Sequence, residues 1–180
     1  ELNSNGTHFG FTFQNTSIPQ DGYISSSSGY SPIKISTINP ELAGLAVPKT
    51  EVISWKSFDG MEIEGLLTYP LNYETGKKYP FILNIHGGPA GVFSENFIAG
   101  SAVYPLAALA ENDIFILRPN PRGSNGYGLK FREANHRDWG GGDYKDLMAG
   151  VDYAISKGWA DPDKMGVMGW SYGGFMSSWV

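Results

Sequence analysis

Ser171 stands inside Gly169-Trp170-Ser171-Tyr172-Gly173-Gly174, directly after the short apolar run Met165-Gly166-Val167-Met168. A strand that ends in Gly-x-Ser-x-Gly and opens into a helix forces its serine onto a tight, strained turn, so that the hydroxyl projects over the strand end. A nucleophilic alcohol needs that presentation, and the glycines keep side chains from colliding with neighbouring main chain. Attack on a carbonyl carbon places negative charge on the carbonyl oxygen, which main-chain N–H groups can stabilise by ~3 to 4 kcal/mol each. Tyr172 N–H is one candidate donor. His86-Gly87-Gly88-Pro89, which follows the apolar run Phe81 to Ile85, offers Gly88 N–H as the second, because a glycine loop lets the main chain come close to a substrate. The plainer readings are an ordinary Gly-Ser turn and a glycine turn with His86 in a buried hydrogen bond. The presence of both motifs in one chain favours the chemical reading.

A base is harder to find. His8, His86 and His136 all precede Ser171, whereas in this type of turn the acid and the histidine follow the serine in chain order. Nine residues remain after Ser171, too few for two further strands ending in an aspartate and a histidine. His136, among Arg132, Glu133, Arg137 and Asp138, reads as part of a solvated surface helix. Asp143 and Asp146 read as first-turn helix charges.

The elements that would position these groups alternate from residue 51 onward. Val52 to Trp55 and Ile63 to Leu67 read as two strands of a hairpin turning at Asp59-Gly60. Phe81 to Ile85 and Ile114 to Leu117 are nearly continuous apolar runs, as in strands covered on both faces of a parallel sheet. Pro105 and Leu106 to Ala110 suit a short helix between them. Tyr144, Leu147, Met148, Val151, Ala154 and Ile155 recur at helical spacing, with Gly158 as the stop, and Asp161-Pro162-Asp163 reads as a turn before the strand at Met165. Residues 1 to 47 differ in composition. Lys34 is their only basic residue, and Phe9, Phe11 and Phe13, then Ile33 and Ile35, alternate as short strands do. So few strands need a larger body to cover them.

Composition excludes several classes. The net charge is −5 without a basic cluster, against nucleic-acid binding. No apolar run approaches the ~18 to 20 residues of a membrane span, and Glu1-Leu2-Asn3 starts no signal-peptide core, so the chain reads as soluble and as an excised or processed piece; the compartment is not distinguished. With no cysteine there is no disulfide scaffold, zinc-thiolate site or cysteine nucleophile. The glycine-rich stretches lack a phosphate-loop ending and the histidines lack ligand spacing, so no cofactor and no metal are expected. Asn5-Gly6-Thr7 and Asn15-Thr16-Ser17 match the glycosylation pattern, which is short enough to arise by chance.

Taken with Arg118-Pro119-Asn120-Pro121-Arg122-Gly123-Ser124-Asn125-Gly126-Tyr127-Gly128, the two motifs resemble those of prolyl oligopeptidase family serine peptidases, particularly the acylaminoacyl-peptidase and dipeptidyl-peptidase-like branch. The resemblance covers about residues 48–180. It implies an α/β fold, the N-terminal part of an α/β-hydrolase with a mostly parallel sheet and flanking helices over 48–180. Residues 1–47 would be the end of a β-propeller and the linker that returns from it. It further implies peptide hydrolysis through an acyl-enzyme on Ser171, with backbone donors at Gly88 and Tyr172 and short peptides as substrates, an acid and a base expected downstream of Val180, and a 180-residue chain that alone is inactive. A small-ester hydrolase on the same scaffold and a non-catalytic binding module are the alternatives. Several relatives carry an oxyanion-assisting tyrosine where this chain has His86. The Arg-Gly-Ser-x-Gly-Tyr-Gly run is expected to be a rigid loop with Arg122 in an ion pair.

Overall fold

The computed structural model of the protein describes residues 1–99 and 103–180 and separates into two units, 1–47 with 95–105, and 48–94 with 106–180. In the first unit, strands β1 (His8–Phe13), β2 (Asp21–Ser26) and β3 (Ile33–Lys34) form an antiparallel sheet in that order. The aromatic alternation of β1 puts Phe9 and Phe11 in stacked contact, with Tyr23 of β2 against Phe11. Strand β2 carries no hydrophobic periodicity. It forms because six of its residues pair with β1, and because the buried Asp21 is held by Lys34 at 2.6 Å and by Gly22 N–H at 3.0 Å.

The second unit is built on β4 (Thr50–Lys56), β5 (Glu62–Thr68), β6 (Tyr79–Ile85), β7 (Phe115–Asn120) and β8 (Ala160–Gly169), ordered β4-β5-β7-β6-β8. Asp59-Gly60 closes the β4–β5 hairpin, with Gly60 at φ 84°. Strands β4, β6, β7 and β8 run in one direction, as expected of a mostly parallel sheet, and β5 is the exception. β6 is parallel to β7 and β8, but β5 is antiparallel to both neighbours, so the sheet is mixed. The cause is the hairpin, whose tight turn compels antiparallel pairing and whose second strand then adds to β7 in the same sense.

Helices α1 (Leu106–Glu111), α2 (Leu129–Arg132), α3 (Gly142–Ser156) and α4 (Tyr172–Trp179) occupy the connections. Phe81, Leu83, Ile85, Phe115 and Leu117 point to one face and make the core with Leu147, Val151 and Ala154 of α3 and Tyr172 and Met176 of α4. Alternation puts Asn84 and Arg118 on the reverse face, both buried. Burial lowers the Arg118 guanidinium to about 10. Since β7 lies on one side of β6 and β8 on the other, chain order reverses at β6. In open α/β sheets the carboxyl ends of strands at such a point part to leave a crevice. The loops at residues 86–94 and 170–172 leave from there.

Three local expectations change. The Asp161-Pro162-Asp163 turn lies inside β8 as an irregular bulge, where Ala160 pairs with Tyr79 and Met165 pairs with Phe81. The surface helix expected around His136 ends at Arg132, and the exposed His136 sits in the turns that follow. Asp143 and Asp146 are not solvated first-turn charges: they are 1% and 0% exposed. Gly142 and Gly150 share the buried face of α3, and the lack of a side chain at Gly150 admits the Trp55 ring, whose Nε1–H donates to Asp146 O at 3.0 Å.

Candidate active site

Ser171 closes β8 and precedes α4 with φ 56° and ψ −120°, a left-handed conformation that costs a non-glycine residue about 1–3 kcal/mol. The turn persists because it is overdetermined. Gly173 N–H donates to Trp170 O at 2.9 Å, and Gly174 and Phe175 N–H donate to Ser171 O at 2.9 and 3.1 Å. A Cβ on Gly173 would overlap Ile85 O, and one on Gly169 would overlap Gly173 O, so α4 starts in direct main-chain contact with β6. Ser171 is exposed. The glycine loop lies beside it: the position of a Cβ on Gly87 is 3.2 Å from Ser171 Cβ and 3.8 Å from its Oγ.

Gly88, the next residue, has φ 132°. Among the described residues, neither Gly88 N–H nor Tyr172 N–H donates a main-chain hydrogen bond. Both expected donors are thus uncommitted, one in the loop touching Ser171 and the other on the residue that follows it.

His86 is almost fully buried and faces away from this role. Its Nδ1–H donates to Gly87 O at 2.8 Å, and Nε2 meets Ser124 Oγ at 3.0 Å with the Phe93 ring edge-on at 5.3 Å. Burial pushes the imidazole below its ordinary value, opposed by the Gly87 carbonyl. Both ring nitrogens thus face partners other than Ser171: the Gly87 carbonyl, and the buried Ser124 hydroxyl, which itself donates to Pro121 O at 2.6 Å.

Residues 118–128 do more than form a rigid loop. Asn120 Oδ1 accepts Phe93 N–H at 2.7 Å and its Nδ2 donates to Phe93 O at 2.9 Å. Asn125 N–H donates to Gly91 O at 3.1 Å, and its side-chain amide donates to Ala90 O. The run after β7 therefore fastens the glycine loop after β6. Arg122 makes the expected ion pair, buried and bidentate: Nε and Nη2 reach Asp146 at 2.9 Å, and Nη1 and Nη2 reach Asp59 at 3.0 Å. Ser57 Oγ donates to Asp146 Oδ1 at 2.5 Å. Sequence reasoning missed Asn120, Ser124 and Asn125 as anchors, and Asp143 as the acceptor for the Tyr172 hydroxyl. The Asn-x-Arg-Gly-Ser spacing named the loop without naming what it holds. No three His, Asp or Glu side chains gather as a metal site among the described residues.

The chain is similar to known proteins over most of its length. It is 40% identical over 131 residues to an uncharacterised peptidase of Bacillus subtilis, covering 72% of this chain and 19% of that protein. It is 33% identical over 157 residues to dipeptidyl-peptidase 5 of Schizosaccharomyces pombe, covering 84% and 22%. The fold superimposes on an acylaminoacyl peptidase of Pyrococcus horikoshii with a TM-score of 0.83 at 26% identity, over 96% of this chain and 27% of that one. The chain thus spans about a fifth of the length of its curated relatives. Residues 102–180, which include Ser171 and most of its supports, match the prolyl oligopeptidase family, and the chain belongs to that family of peptidases.

Proposed function

We propose that the protein containing this chain hydrolyses short peptides through an acyl-enzyme on Ser171. The observation that carries this reading is the exposed, left-handed Ser171 with the Gly87 main chain against its side chain. Ser171 Oγ attacks the scissile carbonyl carbon, its proton passes to a base, and the charged oxygen is received by Gly88 and Tyr172 N–H. Collapse breaks the C–N bond and releases the amine with that proton. Water then attacks the ester and frees the acid and Ser171. His86 is not the base, because both ring nitrogens are occupied elsewhere. The base and its orienting acid are a histidine and an aspartate outside these 180 residues, and the chain alone is inactive. Residues 1–47 are the end of a β-propeller whose remainder admits only short substrates to the hydrolase domain. The names of the relatives, dipeptidyl-peptidase and acylaminoacyl peptidase, support peptides over simple esters.

The test is a substrate profile of the full-length protein and its Ser171→Ala variant on dipeptidyl and acylaminoacyl amides and on short acyl esters. Amide hydrolysis lost in the variant is expected. Turnover of esters alone, or peptide turnover by the isolated 180 residues, would contradict the reading.

A further inference from the structure

Tyr172 has two ends with different work. Its main-chain N–H adjoins Ser171 and is uncommitted among the described residues, while its side chain runs inward, leaving the residue 9% exposed. The phenol donates its proton to Asp143 Oδ2 on the first turn of α3. Asp143 has no freedom to drift. It is 1% exposed, and Oδ1 accepts Gly140 N–H and Tyr144 N–H, each at 2.9 Å. Trp139 meets the tyrosine ring edge-on at 5.3 Å, and Phe175 lies 5.5 Å away on α4.

The chemistry keeps the roles fixed. Burial and the hydrogen bond to Asp143 push the phenol upward, so the hydroxyl stays a donor. A buried carboxylate is costly, and phenylalanine would fill the ring's space without needing one. What the pair adds is orientation. The side chain of Tyr172 and its N–H are joined through one Cα, so holding the phenol fixes the direction of the N–H beside a serine whose own conformation is strained.

We infer that Asp143 is a positioning residue which, through the Tyr172 hydroxyl, aims Tyr172 N–H at the developing oxyanion. This rests on the proposed acyl-enzyme reading. Misplacement of such a donor by about 1 Å is costly to the transition state and nearly neutral to substrate binding.

The experiment measures kcat and KM on a dipeptidyl amide for the full-length protein, Ser171→Ala, Tyr172→Phe, Asp143→Asn and the Tyr172→Phe/Asp143→Asn double variant, with thermal melts of each. We expect Tyr172→Phe and Asp143→Asn each to lower kcat about 10- to 100-fold with KM within about twofold. The double variant should be no slower than the worse single one, because both remove one link. Should Asp143→Asn fail to fold, Tyr172→Phe, which removes a single oxygen, decides the matter. Unchanged kcat with only a lowered melting temperature, or multiplicative effects in the double variant, would overturn the inference while leaving the acyl-enzyme intact. Wild-type turnover indifferent to Ser171→Ala would instead remove the reading beneath it.

Discussion

The side-chain amide of Asn120 pairs with the main chain of Phe93 as a neighbouring strand would, accepting its N–H at 2.7 Å and donating to its carbonyl at 2.9 Å. Asn120 is the last residue of β7 and Phe93 lies in the loop after β6, so one side chain ties the end of β7 to the loop whose Gly87 lies beside Ser171. Asn120→Ala removes both bonds and is expected to destabilise the protein by about 1–3 kcal/mol. In the full-length protein it should also lower kcat about tenfold by loosening the loop that carries Gly88. Asn120→Asp keeps the acceptor and loses the donor, and should fall between. Urea melts paired with steady-state kinetics check both; undiminished kcat would show that the loop holds itself.

Arg122 and Asp146 form the most enclosed charge pair in the second unit, and Asp59 and Ser57 complete its hydrogen bonding. Removing one partner leaves a buried, uncompensated charge. Arg122→Met should therefore cost about 3–5 kcal/mol in denaturant melts. Arg122→Lys should recover little of it, since an ammonium cannot make the two-sided fork. A lysine variant as stable as the parent would refute the geometric role.

His86 predicts a pH effect of defined sign. Its folded value lies below the ordinary 6.5 through burial, so between the two values the unfolded chain binds more protons. Stability contributed by the neutral ring is fully present above about pH 6.5 and is lost as pH falls below it. His86→Gln should flatten that part of the curve in urea melts from pH 7.5 to 5. An equally steep variant curve would assign the loss to other groups.

Gly173 leaves no room for a side chain against Ile85 O. Gly173→Ala is expected to displace α4 from β6, costing more than about 2 kcal/mol and most of the activity, whereas Gly76→Ala, where nothing lies within 4 Å, should cost only its left-handed strain, φ 87°, of about 1 kcal/mol. Parallel thermal melts compare them.

Much of this arrangement was legible because it is local. The Phe81 to Ile85 run, the Asp59-Gly60 turn and the Gly-x-Ser-x-Gly pattern each report on a few consecutive residues, and each became the element it implied. What escaped is held by partners distant in sequence. Strand β2 exists through pairing with β1 and an Asp21–Lys34 bridge, which no periodicity within Asp21–Ser26 records. Asp143 and Asp146 look like helix-start charges until Tyr172 and Arg122 arrive from 29 and 24 residues away. Antiparallel pairing of β5 with β7 was hidden for the same reason: both runs are apolar, and apolarity does not encode strand direction.

The nucleophilic role of Ser171 is tested most directly by treating the full-length protein with a fluorophosphonate and locating the adduct by tandem mass spectrometry. The account requires a single adduct on Ser171 Oγ, formed in step with loss of peptide hydrolysis and absent from Ser171→Ala. An adduct on another residue, with hydrolysis surviving in Ser171→Ala, would contradict it.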